Sequence, residues 1–201
     1  MFIQVITGKV VDEEGFRRQG DLWETNVRPG ATGYLGNTVG VTDDGRFFAA
    51  ARFDSNEAAR LNSDRPEQSA WWGGMEKCVT DVDFHDCNKI TTLFGGGSDD
   101  ATFVQVMRGH ITDRSSLEQL EARSTELEAA LHAFRPDLLG EVIAYHDDGD
   151  GYTDIVYFTS EAEARANEQH EPPGDVQQFM ELLMNAVAID EYFDLRNPDL
   201  R

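Results

Sequence analysis

The residues of this chain best suited to chemistry are a few aromatic and polar side chains in its first half. Trp23, Trp71 and Trp72 are the only tryptophans, and Arg52 and Asn62 lie between them in sequence. Large rings wall apolar cavities, and one or two fixed polar groups orient what is held there. Trp71, Met75 and Cys78 also share one face at helical spacing. Trp23, Arg52, Asn62, Trp71 and Trp72 therefore form the candidate ligand pocket, with the tryptophans as wall and Arg52 or Asn62 as polar anchor. The competing reading is that the tryptophans only fill core. Gly73-Gly74, inside a helical pattern, either makes room for a ligand or marks a kink.

Other chemistries find less support. The five histidines show no HxxxH, HxH or His/Cys spacing, so no metal site is expected. A haem needs only one histidine, which leaves His85, His146 and His170 as ligand candidates for a haem-binding alternative. Asp148-Gly149-Asp150-Gly151 lacks the remaining ligands of a calcium loop and reads as a turn. There is no nucleophile elbow, P-loop or dinucleotide fingerprint, so no catalytic residue is assigned and no cofactor is expected.

The formal charge is −21. Split after Gly97, the first half has 10 basic and 15 acidic residues and the second has 7 and 23. Such a surface repels phosphate backbones and anionic headgroups, so neither a nucleic-acid nor a membrane partner is expected. No basic leader precedes the first strand pattern, no apolar run is long enough to span a bilayer, and Cys78 and Cys87 form no CxxC pair. The expectation is a cytoplasmic protein with reduced thiols.

The elements that must position the pocket occur twice. Residues Phe2–Asp12 return as Phe103–Asp113 at an offset of 101, with five of eleven pairs identical. Such spacing indicates a tandem duplication. Strands are predicted at 2–11, 33–42, 46–53 and 79–88, with helices at 13–27, 56–65 and onward from Pro66 to Cys78. After Gly95-Gly96-Gly97 the same order returns: strand 102–112, helix 115–133, strands 138–146 and 152–158, a helix from Ser160 broken at Pro172-Pro173, and strand 189–195. The expected domains are 1–94, a linker at 95–101, 102–196 and a tail at 197–201. Gln4 and Gln105, polar among apolar strand neighbours, are expected to bond across a pseudo-twofold axis. Arg108 and His110 replace Thr7 and Lys9 and read as cavity groups or, by preference, rim residues.

Each β-α-β-β-α-β unit is a ferredoxin-like split βαβ, which leaves one sheet face bare. The fold class is α+β: two tandem ferredoxin-like repeats, expected to pack sheet to sheet as an intrachain α+β barrel. On this topology the chain resembles the dimeric α+β barrel superfamily, including antibiotic-biosynthesis-monooxygenase-like proteins. The run Asn62–Gln68 with Trp71-Trp72 also resembles a stretch in actinobacterial proteins with no assigned reaction. The resemblance implies a small apolar or aromatic ligand between sheet and helices and, in its monooxygenase-like members, oxidation without metal or flavin. It also leaves open a pseudo-twofold monomer or a homodimer. The alternative is a non-catalytic structural or interaction protein.

Overall fold

The computed structural model describes residues 1–201 as an α+β fold. In the first half the order is β1 (Phe2–Val10), α1 (Glu13–Leu22), β2 (Tyr34–Val41), β3 (Arg46–Phe53), α2 (Asn56–Ser63), α3 (Pro66–Met75) and β4 (Val79–Cys87). A short strand β5 (Lys89–Leu93) follows. The second half runs β6 (Phe103–Ile111), α4 (Arg114–Ala122), α5 (Ser124–Phe134), β7 (Leu138–Tyr145), β8 (Gly151–Phe158), α6 (Glu161–Asn167), α7 (Gly174–Ala186) and β9 (Val187–Arg196), then β10 (Asp199–Leu200).

The strands form two antiparallel sheets, in the orders β10-β2-β3-β1-β4 and β5-β7-β8-β6-β9. They are not closed into a barrel, which corrects that part of the expectation. Closure needs a hydrogen-bonded ladder between the edges of the two sheets. The edges beside β2 and β7 are instead taken by β10 and β5, the two short strands that periodicity does not reveal. The chain accordingly groups into two units, Met1–Lys89 with Asp199–Arg201, and Ile90–Pro198.

Local chemistry explains most boundaries. The side chains of Asp12, Ser55, Asp113 and Ser160 each accept a backbone N–H in the first turn of α1, α2, α4 and α6. Pro66 starts α3, where the missing N–H has no helical partner to lose. The single helix expected over 13–27 gives way at Trp23 to a π-helical turn, Trp23–Val27, and then a 3₁₀ turn, Arg28–Gly30. Pro29 cannot donate to the ladder, so the last turns adjust around it.

In β1 the side chains of Phe2, Ile3 and Val5 are almost fully buried, as both-parity hydrophobicity requires of a central strand. Gln4 and Gln105 do not bond across an axis. Gln4 donates to Asp86 in β4 at 3.0 Å, and Gln105 to Asp194 in β9 at 3.0 Å. Each amide thus finds a carboxylate on the neighbouring strand of its own sheet.

Candidate functional site

The helices of the first unit enclose a cavity of about 150 Å³ over the β2-β3-β1 part of its sheet. The floor explains why it exists. Register pairs Ile6 with Ala49 and Gln4 with Ala51, and on the other side Val39 with Ala49 and Asn37 with Ala51. Two alanines therefore occupy the middle of the sheet, between the large side chains of Phe47 and Phe53 on the same face of β3. Apolar clusters build up around Phe47 and Met75 at one end, and around Phe2 and Phe53 at the other. Space remains over the alanines. At the corresponding register positions of the second half, Asp154 pairs with Met107 and Val156 with Gln105, so larger side chains stand there.

The roof comes from helical spacing. Gln68, Trp71, Trp72 and Met75 all line the cavity, at i, i+3, i+4 and i+7 on α3, and Ala59, Asn62 and Ser63 do so from α2. The π turn after α1 contributes Trp23 and Glu24. Aromatic contacts run from Phe53 to Tyr34 (5.6 Å between centroids), Tyr34 to Trp23 (4.8 Å), Trp23 to Trp71 (6.5 Å) and Trp71 to Trp72 (5.8 Å).

Of the five residues singled out from sequence, Trp23, Asn62, Trp71 and Trp72 line this cavity and Arg52 does not. Arg52 instead donates to the backbone carbonyl of Arg201 at 2.8 Å, and Arg201 is itself a lining residue. Asn62 is buried with both ends of its amide engaged. Its Nδ2 donates to Gln68 at 3.3 Å, and its Oδ1 accepts from Arg65 at 2.9 Å. Gln68 Oε1 also accepts from Trp23 Nε1 at 3.1 Å, and Trp71 Nε1 donates to the Gln19 carbonyl at 2.7 Å. These bonds fix the aromatic walls. Neither Gly73 nor Gly74 lines the cavity; a Cβ on Gly74 would lie 2.6 Å from the side-chain amide of Gln19.

Several lining residues escape a sequence reading. Tyr34 and Asn37 are three apart on a strand, which would place them on opposite faces. A bulge between Tyr34 and Gly36 restores them to one side, opposite Phe53 and Ala51. The buried Tyr34 hydroxyl and Asn37 Oδ1 have no hydrogen-bond partner in the protein. Burial pushes the Tyr34 phenol well above its usual range, so it stays a neutral donor. Glu24 pairs with Arg28 at 2.7 Å and with Arg201. Burial works against its ionisation, but those two guanidinium groups outweigh it and hold the carboxyl below the usual range. Asp199, also in the lining, pairs with Arg201 at 2.8 Å. The segment 199–201 is drawn in by the β10–β2 ladder and by paired backbone bonds between Asn37 and Arg201 at 2.6 and 3.1 Å.

No histidine lines the cavity, so the haem-ligand candidates have no donor there. His146 bonds Thr153 at 2.9 Å and His85 bonds Asp83 at 2.9 Å. Arg108 pairs with Glu191 at 3.0 Å and His110 with Asp190 at 2.9 Å. Both cysteines are free and buried, and no helix is long and apolar enough to cross a membrane.

No family model and no curated protein matches this sequence. Solved structures do. A candidate monooxygenase from Lactobacillus acidophilus NCFM superimposes over 99% of this chain and 95% of its own, with TM-score 0.72 at 15% identity. A candidate monooxygenase from Fusobacterium nucleatum covers 100% and 93%, with TM-score 0.74 at 8% identity. An uncharacterized ferredoxin-fold protein from Listeria monocytogenes, related to antibiotic biosynthesis monooxygenases, covers 99% and 96% with TM-score 0.52 at 10% identity. At these identities the likeness is one of fold: the whole chain has the ferredoxin-like α+β fold of antibiotic-biosynthesis-monooxygenase-like proteins.

Proposed function

We propose that the first unit binds a small apolar or aromatic molecule in the cavity between its helices and its sheet. The observation that carries this reading is the cavity itself, about 150 Å³ under an aromatic roof and over an alanine floor, with two buried polar atoms left unsatisfied beside it. Interiors ordinarily fill such space and pair such atoms. The walls are braced by Trp23, Asn62, Gln68 and Arg65, so the site is pre-formed and a ligand entering it loses little to ordering of the protein.

Oxidation of the bound molecule by oxygen is the catalytic form of this proposal. It is supported by the descriptions of the structural neighbours as candidate monooxygenases. Binding without turnover is favoured by the lining: its two carboxylates, Glu24 and Asp199, are both neutralised by arginine, and no other lining side chain is a base at neutral pH. Thermal-shift screening of single-ring and fused-ring aromatics against the full chain tests the binding proposal. A rise in melting temperature that disappears in Ala51→Leu, whose added side chain fills the floor, is expected. No shift with any aromatic at millimolar concentration defeats it. Oxygen consumption with the molecules that bind then separates the two forms.

A further inference from the structure

We infer that the ligand of this cavity is a neutral, single-ring aromatic carrying a hydroxyl group, and that Tyr34 and Asn37 select that hydroxyl. The inference rests on the reading of the cavity as a ligand site and adds its size, charge and polarity.

Size follows from volume. A cavity of about 150 Å³ is the size that, in an engineered apolar core, accepts one benzene ring. A fused two-ring molecule would have to move the roof, which the Trp23–Gln68 and Trp71–Gln19 bonds tie down, or leave its second ring projecting through the cavity's open side. Charge follows from pairing. Arg201 is the only lining cation, and it already faces both Glu24 and Asp199. An anionic ligand would bring a third negative charge to that guanidinium in a partly desolvated place.

Polarity follows from the two orphaned atoms. Tyr34 offers an O–H that no protein acceptor takes, and Asn37 offers an amide oxygen that no protein donor reaches. They stand on the same face of β2, opposite residues two apart on β3. A hydroxyl both donates and accepts, so it suits a phenol donor and an amide together. A methyl group in its place leaves both buried atoms unsatisfied, which is the costlier error.

Titration calorimetry of the full chain with phenol, toluene, 1-naphthol and benzoate tests this. Phenol should bind at least about tenfold more tightly than toluene, and 1-naphthol and benzoate more weakly than phenol. Tyr34→Phe keeps the ring that packs on Trp23 and Phe53, so it should lose most of the preference for phenol over toluene. Ala51→Leu should lose both ligands. Equal affinity for phenol and toluene, equal affinity for phenol and 1-naphthol, or a full phenol preference in Tyr34→Phe each overturns the inference and leaves the cavity as a binding site. Failure of all four molecules to bind overturns the reading beneath it as well.

Discussion

Asn62 shows how one buried amide in the lining also organises the walls around it. It links Arg65, which also holds the Val27 carbonyl at 2.9 Å, to Gln68, which holds the Trp23 indole. Replacing it by alanine leaves a guanidinium donor and an amide acceptor short of partners in a part-buried place. Asn62→Ala is expected to lower stability by about 1–3 kcal/mol, measured by urea unfolding, and to weaken aromatic binding through a looser Trp23. An unchanged unfolding midpoint would show that water replaces the amide at no cost. Arg52 works at one further remove: it grips the Arg201 backbone, and Arg201 in turn faces Glu24.

At the scale of elements, the bulge in β2 decides what the cavity contains. Gly36 sits there with φ +142°, and a Cβ on it would lie 1.9 Å from the Arg201 carbonyl oxygen. Both the conformation and the space require glycine. Gly36→Ala is expected to push segment 199–201 off the β2 edge and cost more than about 1 kcal/mol. The readout is faster hydrogen exchange at the Asn37 and Arg201 amides, which the two backbone bonds now protect. The second sheet repeats the arrangement at Gly140, where a Cβ would lie 1.8 Å from the Gly96 carbonyl oxygen. The helices are less dependent on single contacts. Ser55→Ala removes the cap that accepts from Ala58 at 3.2 Å and should cost about 1 kcal/mol, seen as a lower melting temperature with ligand affinity unchanged.

The whole molecule carries an acid load that is not all on its surface. In the second unit Glu141 and Asp154 lie diagonally across the β7–β8 ladder on the helix-facing side of the sheet. Burial, then the Glu128 charge, pushes Glu141 up to about 7; burial, then Glu141, raises Asp154 well above its ordinary range. Below about pH 3 both carboxyls are protonated in the folded and unfolded chain alike. As pH rises toward 7 the unfolded chain releases protons that the folded one retains, so folded stability falls across that window. The drop attributable to Glu141 is on the order of 3 kcal/mol, with the pair titrating as a unit. Urea unfolding from pH 4.5 to 8 should show it, and Glu141→Gln should flatten the slope. A parent whose stability rises with pH over this range refutes the buried pair.

How much of this was legible beforehand follows the range of the interactions. Strand β3, the capped helix starts and the repeated β-α-β-β-α-β order rest on contacts within a few residues, and such contacts are written in periodicity, caps and turn residues. Four of the five pocket candidates line the cavity, and of these only Trp71 and Trp72 do so as part of one helical pattern, with Gln68 and Met75 on α3; Trp23 and Asn62 come from two other elements. Tertiary structure alone decided the rest. The bulge that turns Tyr34 and Asn37 to one side breaks the alternation from which facing is read. The edges filled by β5 and β10 depend on unpaired backbone groups, which nearly any short segment can satisfy. And Arg201 reaches Arg52 across 149 positions of sequence, a contact no local pattern encodes.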